Sequence, residues 1–250
     1  MIVIGHRGAA GEAPENTLAG IRHALRLGIK DFEVDIRQCR DGVLALLHDA
    51  NLVRTTGEDL LLHEIDSEEL VTYFAHYQRP SWPGIDASQL GNSYIPTLAQ
   101  VLTYVPPGVS FQLEIKSDEH TDCSAVVHEI SQQFPIGCQA LQQLKLTFTS
   151  FDVELITQLK QQCPHLAIGI ISDEDPLEAL EIAQDLSASH CCLKHDLLLD
   201  ADLNLREVIS QTTLHVSLWT VNEVALIERY DQLGANSVIT DFPELILREI

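Results

Sequence analysis

Short apolar runs alternate with amphipathic segments along almost the whole chain. Eight runs are strand candidates: Ile2–Gly5, Asp31–Asp35, Ser110–Ile115, Lys145–Thr149, Ala167–Ile171, His190–Leu193, His215–Trp219 and Ser237–Thr240. Most of them are followed by a segment with apolar residues at helical spacing. Buried strands that alternate with helices are typical of βαβ units and a parallel sheet. Eight such units in 250 residues predict an α/β protein with a closed (β/α)8 TIM barrel.

Capping residues support the helices between these strands. Asn16 or Thr17 can cap a helix that ends at Gly28. Asn222 is predicted to open a helix near the end of the chain, and Gly234 to stop it. These signals fall between successive strand candidates, as the barrel requires.

A further β-like run, residues 43–47, follows the second strand too closely for a crossover helix. We therefore predict that it pairs antiparallel with that strand. Asp41-Gly42 is a strong signal for a two-residue hairpin loop. In that register Arg40 pairs with Val43, and His48 falls opposite Asp35.

Residues 51–94 form an insertion before the third barrel strand. We predict a short helix near Ser67–Phe74, and a loop that contains Pro80, Trp82, Pro83 and Gly84. Inserted barrel loops often carry function, so the insertion is expected to form part of a pocket wall. The whole chain, 1–250, is then a single barrel domain.

Composition narrows the range of partners. Lys and Arg number 15 against 37 Asp and Glu, which gives a net charge of −22. Nucleic acid and anionic membranes would be repelled, so we expect neither as a partner. The six cysteines form no CxxC pair, and no apolar stretch is long enough to span a bilayer. The pattern favours a cytoplasmic protein and does not indicate an oligomeric state.

Charged residues gather where strands should end. Glu33 and Asp35 are two apart on a strand and share a face, as do Glu114 and Lys116. Three carboxylates facing a barrel interior suit one hard divalent cation, Mg²⁺ or Ca²⁺. A salt-bridge cluster in which Arg7 and Lys116 neutralise the acids is the alternative.

Two histidines lie close to these charges. His6 and His48 suit general acid–base work near neutral pH. Arg7 offers a planar fork of donors for a phosphate, and Lys116 offers a point charge. Together with a cation, these groups fit phosphoryl transfer, in which charge on oxygen is stabilised and protons are moved.

An ordered set of motifs spans the chain. The motifs are His6-Arg7-Gly8, Pro14-Glu15-Asn16-Thr17, Glu33-Val34-Asp35, Asp41-Gly42, His48-Asp49, Arg54-Thr55-Thr56-Gly57, Ile95-Pro96-Thr97-Leu98, Leu113-Glu114-Ile115-Lys116, Trp219-Thr220-Val221-Asn222 and Thr240-Asp241-Phe242-Pro243. In this order they resemble the glycerophosphodiester phosphodiesterase family, in its cytoplasmic bacterial type. A small departure is Gln38, where many relatives carry threonine.

The resemblance implies a (β/α)8 barrel that hydrolyses glycerophosphodiesters to glycerol 3-phosphate and an alcohol with a divalent cation. It also implies site roles by position: catalytic for His6 and His48, metal-binding for Glu33, Asp35 and Glu114, and phosphate-binding for Arg7 and Lys116. A small-molecule diester is the expected partner.

Other residues are weaker candidates for contact with the substrate. Trp219 and Phe151 are candidates for the pocket wall, with core packing as the alternative. Glu15 and Asn16 are candidates near the metal or the phosphate, and Asn16 is alternatively a helix cap. Asp241 is expected to fix the last turn rather than to contact substrate.

Three rival functions are less well supported. A related barrel phospholipase acting on intact or lyso-phospholipids is opposed by the charge of −22. A different metal-dependent barrel enzyme, such as an isomerase, would not need two histidines beside an arginine. A non-catalytic ligand-binding barrel would be expected to lack some of the metal or histidine positions, and all are present.

Overall fold

Nine strands form one sheet in the computed structural model, which describes residues 1–75, 82, 90–91, 93–199 and 203–249. The strands are β1 Ile2–His6, β2 Asp31–Gln38, β3 Leu44–Leu46, β4 Ser110–Ile115, β5 Lys145–Ser150, β6 Ala167–Ser172, β7 His190–Lys194, β8 His215–Trp219 and β9 Ser237–Thr240. They match the predicted runs to within a few residues at their ends.

Eight of these strands close into a parallel barrel. β1 pairs with both β2 and β9, and the remaining strands follow in the order β4 to β8 between them. Side chains alternate across the wall, so Phe32, Val34 and Ile36 face the helices while Glu33 and Asp35 face the interior. The predicted (β/α)8 barrel is confirmed.

Helices surround the barrel and cover its apolar outer face. They are α1 Leu18–Arg26, α2 Val53–Thr56, α3 Leu98–Tyr104, α4 Cys123–Gln133, α5 Gln139–Gln143, α6 Val153–Gln162, α7 Pro176–Asp185, α8 Leu203–Gln211, α9 Ile227–Gln232 and α10 Pro243–Glu249. Short 3-10 helices cover Leu62–Glu64, Ser67–Thr72, His195–Leu198 and Val224–Leu226. Within the described ranges, none of the helices combines the length and apolarity needed to cross a bilayer.

Two capping predictions are decided by side-chain contacts. Thr17 caps α1, because its hydroxyl accepts a hydrogen bond from the backbone N–H of Gly20 at 3.1 Å. The helix predicted before Gly234 forms, and Gly234 follows it with φ of 91°, but Asn222 does not open it. The 3-10 turn begins at Val224, and the Asn222 carboxamide binds Thr240 and Asp241 at the end of β9 instead.

The hairpin after β2 forms, but its predicted register is wrong by one residue. Ile36 pairs with Leu46, and the N–H of Cys39 donates to the carbonyl of Val43 at 2.9 Å. The loop therefore holds three residues, 40–42, and not two. Gly42 closes it with φ of 89°, a left-handed conformation that favours a three-residue hairpin with glycine last. His48 consequently lies beyond the end of β3.

The insertion packs over this hairpin on a small apolar core of its own. That core is Cys39, Ala45, Leu47, Leu52, Leu62, Ile65, Leu70 and Ile95. The helix predicted near Ser67–Phe74 is the 3-10 helix Ser67–Thr72, which has a capping box between Asp66 and Glu69. Of the predicted loop with Pro80, Trp82, Pro83 and Gly84, Trp82 alone is among the described residues.

The barrel interior below the charged residues is polar. Gln112, Thr147, Ser217 and Ser237 face inward and are 0–6% exposed. The Gln112 amide donates to the Ser217 hydroxyl at 2.8 Å, and Ser237 donates to the same oxygen at 2.8 Å. The main apolar core therefore lies between the sheet and the helices, not inside the barrel.

Candidate active site

Three buried carboxylates form an acidic cluster at the carboxyl end of the barrel. Glu33 and Asp35 lie on β2, and the register of β2 with β4 places Glu114 beside Asp35. One oxygen from each carboxylate lies within 4.8 Å of the others. Parallel strands bring their carboxyl ends to one face, which is where barrel active sites are built.

The cluster is electrostatically unbalanced. Burial, together with the neighbouring Asp35 and Glu114, raises the pKa of Glu33 well above its ordinary value. Burial and Asp35 also raise the pKa of Glu114. Among the described residues, Oε1 of Glu33 has no hydrogen-bond partner. An unpartnered, buried carboxylate oxygen beside two further carboxylates fits a hard divalent cation.

Two positively charged side chains contact these carboxylates. The Arg7 guanidinium lies 3.2 Å from Asp35, and Lys116 Nζ lies 2.9 Å from the same carboxylate and also contacts Glu114. Burial opposes ionisation of Asp35, but Lys116 and then Arg7 hold its pKa well below its usual range. The salt-bridge contacts expected as an alternative to metal are therefore formed by Asp35 and Glu114. Among the described residues, no lysine or arginine side chain lies within ion-pair distance of Glu33, which has the His6 imidazole 3.7 Å away.

His6 is held by a carboxylate from the other end of the chain. Its Nδ1 lies 2.6 Å from Oδ1 of Asp241, and its Nε2 lies 3.7 Å from Glu33. The other oxygen of Asp241 accepts a hydrogen bond from the Asn222 amide at 2.8 Å. The expectation that Asp241 fixes the last turn agrees with this hydrogen bond to Asn222, and the same carboxylate also orients the His6 imidazole.

His48 has a carboxylate partner of its own. Its Nδ1 lies 2.7 Å from Asp49, whose second oxygen binds Arg54. The hydrogen bond from His48 is the largest influence that lowers the pKa of Asp49. Each candidate catalytic histidine therefore has Nδ1 engaged by a carboxylate, which leaves Nε2 as the nitrogen for proton transfer.

Glu15 and Asn16 hold other site residues in place. Glu15 pairs with Arg7 at 3.0 Å and with Arg54 at 2.7 Å. The Asn16 amide donates to Asp35 at 2.7 Å, and its oxygen accepts the Asp35 backbone N–H at 3.2 Å. Asn16 is thus not the helix cap. Its left-handed backbone, φ 54°, directs the side chain at Asp35.

Two cavities meet at His6 and Arg7. The inner one, of about 220 Å³, lies within the barrel mouth and is also lined by Glu33, Glu114, Lys116 and His48. Phe151 and Trp219 form part of its wall, with ring centroids 5.6 Å apart and edge to face. The outer one, of about 540 Å³, is lined partly by the insertion residues Arg54, Thr55, Ala75 and Trp82.

Comparison with known proteins decides the family. A family model for the glycerophosphoryl diester phosphodiesterase family matches residues 6–245. The chain belongs to this family. The resemblance carried by the ordered motifs is therefore confirmed, and the chain is an enzyme of the glycerophosphodiester phosphodiesterase class.

Individual relatives agree with this membership over most of their length. A glycerophosphodiester phosphodiesterase of Caldanaerobacter subterraneus subsp. tengcongensis is 26% identical, covering 98% of this chain and 96% of the relative. A lysophospholipase D of Rattus norvegicus is 25% identical over 96% of this chain and 83% of its own. A phosphodiesterase of Oleispira antarctica, solved in complex with the product sn-glycerol-3-phosphate, is 27% identical, with a TM-score of 0.81 and coverage of 100% and 96%.

Sequence reasoning left some residues of this diesterase site unassigned. Asp49 and Asp241 belong to the ordered motifs, but the sequence does not identify them as partners of the histidines. The adjacency of His48 and Asp49 is a signal for the first pair. The signal for Asp241 is its position directly after β9, since residues at the carboxyl ends of barrel strands carry function. Nothing in the sequence indicates that it contacts His6, which is 235 residues away.

Proposed function

We propose that this chain hydrolyses glycerophosphodiesters to glycerol 3-phosphate and an alcohol, with one divalent cation and two acid–base histidines. The observation that carries the proposal is that one cavity is lined by the metal candidates Glu33 and Glu114, by Lys116, and by both histidines. The reaction needs these groups on one phosphodiester at the same time.

The carboxylates of Glu33, Asp35 and Glu114 would hold the cation. When bound, a divalent cation neutralises charge on the phosphate and polarises its oxygens. The unpartnered oxygen of Glu33 and the oxygen-only donor set suit Mg²⁺ or Ca²⁺. Asn16 keeps Asp35 in position through two hydrogen bonds.

Arg7 and Lys116 would bind the phosphate. Both now contact the acids, Arg7 through Asp35 and Lys116 through Asp35 and Glu114. Both also line the inner cavity, so a phosphodiester placed there lies within reach of a planar guanidinium and a point charge. Glu15 holds the Arg7 side chain in place through an ion pair of 3.0 Å.

The histidines would move the protons. Because Asp241 and Asp49 occupy Nδ1, the Nε2 atoms of His6 and His48 take up and release protons. One takes the proton of the attacking nucleophile, which is either water or the glycerol 2-hydroxyl, and the other protonates the departing alcohol oxygen. If the 2-hydroxyl attacks, a water molecule then opens the cyclic phosphate to give glycerol 3-phosphate. The carboxylates fix the tautomer and stabilise the imidazolium that forms.

Phe151 and Trp219 would cover the glycerol moiety. Phe151 is 44% exposed at the rim, and its edge-to-face contact with Trp219 leaves the two rings as one apolar wall of the inner cavity. Trp219 is held by a hydrogen bond from its indole N–H to the Cys192 carbonyl at 3.2 Å. Such a wall suits the carbon chain of glycerol beside a charged phosphate.

A coupled glycerol-3-phosphate assay on glycerophosphocholine tests the proposal. We expect turnover that is lost with EDTA and restored with Mg²⁺ or Ca²⁺. His6→Ala and His48→Ala should each lower kcat by about 10²–10⁴. Activity that survives chelation would exclude the cation, and wild-type rates in both variants would exclude the two-histidine assignment.

A further inference from the structure

The inner cavity ends within the barrel. Its lower wall is Gln112, which is 4% exposed and held by two neighbours. Its amide donates to Ser217 at 2.8 Å, and its oxygen accepts from the Cys192 thiol at 3.3 Å. Ser217 and Ser237 below it are fully buried. This layer closes the barrel, so a group that enters the cavity meets a polar floor.

Thr149 lines the same cavity above that floor. It lies on β5 directly beside Glu114, because these two residues are register partners. On its other side is Gly169, which has no side chain; a Cβ there would lie 3.0 Å from the Thr149 methyl. Glycine at this position leaves Thr149 as the wall of the cavity on that side.

Thr149 is 1% exposed, and its buried hydroxyl has no hydrogen-bond partner among the described residues. Burial of an unpaired hydroxyl is unfavourable, and native proteins pair nearly all of them. The apolar residues nearby, Ile171 and Ile239, offer no polar atom from their side chains. A ligand in the cavity can supply the missing partner.

We propose that Thr149 hydrogen-bonds the terminal hydroxyl of the substrate's glycerol and so selects diesters in which this hydroxyl carries no acyl chain. This inference rests on the proposed function. The terminal hydroxyl is the glycerol oxygen furthest along the chain from the phosphate, so it reaches deepest into the closed cavity. The same oxygen is esterified in a 1-acyl lysophospholipid, which could neither donate to Thr149 nor pass the layer of Gln112 and Ser217.

Choline release from three substrates tests the proposal: glycerophosphocholine, the phosphocholine ester of 1,2-propanediol, and a short-chain 1-acyl lysophosphatidylcholine. The second substrate lacks the terminal hydroxyl and keeps its neighbour. Wild-type kcat/KM should be roughly 5- to 150-fold higher for glycerophosphocholine than for the propanediol ester, since a buried polar partner is lost. The acylated substrate should be slower still.

Thr149→Val removes the hydroxyl and keeps the shape of the side chain. It should lower kcat/KM for glycerophosphocholine by that same factor and leave the propanediol ester within about 3-fold of wild type. Thr149→Ser should retain most of the preference. Thr147→Val is the matched control, because Thr147 lies one layer lower on the same face of β5 and does not line the cavity.

Several outcomes would overturn the proposal. Equal losses on both diesters in Thr149→Val would mean a structural role. Undiminished activity of that variant on glycerophosphocholine would exclude the proposed hydrogen bond. Equal wild-type rates on the acylated substrate and on glycerophosphocholine would exclude the proposed selection. In each of these cases the diesterase activity stands, whereas no wild-type turnover of any substrate would refute the proposed function itself. Melting temperatures of all variants establish that they are folded.

Discussion

Replacing His190 with glutamine should flatten the pH dependence of stability. His190 begins β7 at the amino end of the barrel, and its ring lies 4.7 Å from the ring of His215. Its Nδ1 is 2.9 Å from the Ser189 hydroxyl, and His215 contacts Ser237 at 2.9 Å. Burial, and then the neighbouring His215, lower the pKa of His190 to about 4.

The sign of the effect follows from proton linkage. An unfolded histidine has a pKa of about 6.5, so between pH 6.5 and pH 4 the unfolded chain binds a proton that the folded chain excludes. Stability from the neutral ring is therefore complete above pH 7 and is lost as pH falls through this window. For these two pKa values, the unfolding free energy falls by about 2 kcal/mol between pH 8 and pH 5.

Urea unfolding at pH 8, 7, 6 and 5 measures this term as the difference between wild type and His190→Gln. The unfolding free energy of the wild type minus that of the variant should fall by about 2 kcal/mol between pH 8 and pH 5, because glutamine cannot bind the proton. His128→Gln is the control, since the His128 imidazole lies on α4 and is already exposed to solvent in the folded protein. A wild-type-minus-variant difference that stays constant over this range would refute the reasoning.

Three further perturbations probe the site and the hairpin. Glu33→Gln should weaken Mg²⁺ or Ca²⁺ binding at least about 10-fold by calorimetry. In chelator it should raise the unfolding free energy, because a neutral amide removes both the cost of burying a carboxylate and its repulsion by Asp35 and Glu114, which together raise the pKa of Glu33; a loss of stability in chelator would contradict this account of the cluster. Asp241→Asn should lower kcat by roughly 10²-fold or more with little change in KM, through the His6 tautomer; a change confined to KM would argue against it. Gly42→Ala should lower the unfolding free energy by about 1 kcal/mol, since φ is 89° there, and unchanged stability in urea titrations would contradict this.

The barrel was predictable because its signal is local. Each strand is a short apolar run, and the helices that follow are marked by apolar periodicity and caps. The hairpin register was not predictable in the same way. Asp41-Gly42 favours a two-residue loop, yet Gly42 takes the last position of a three-residue loop and Cys39 pairs with Val43. A shift of one residue is invisible to a pattern that is apolar on both faces.

The site was predictable where its residues share a strand. Glu33 with Asp35, and Glu114 with Lys116, are placed on one face by the period of two alone. Contacts between distant loops were not. The hydrogen bonds of Asn16 to Asp35, and of Asp241 to His6, depend on backbone conformations and on barrel closure that only the folded chain shows.

The contact between His6 and Asp241 makes activity a reporter of complete folding. One residue ends the first strand and the other follows the last, and β1 pairs with β9 to join them. Glu33, Asp35, His48 and Glu114 all lie in the first half of the chain, so none of them comes from the last strand. His6 gains its carboxylate only when the sheet closes on itself. A chain that ends before β9 would therefore keep every proposed metal ligand and lose the carboxylate that orients His6.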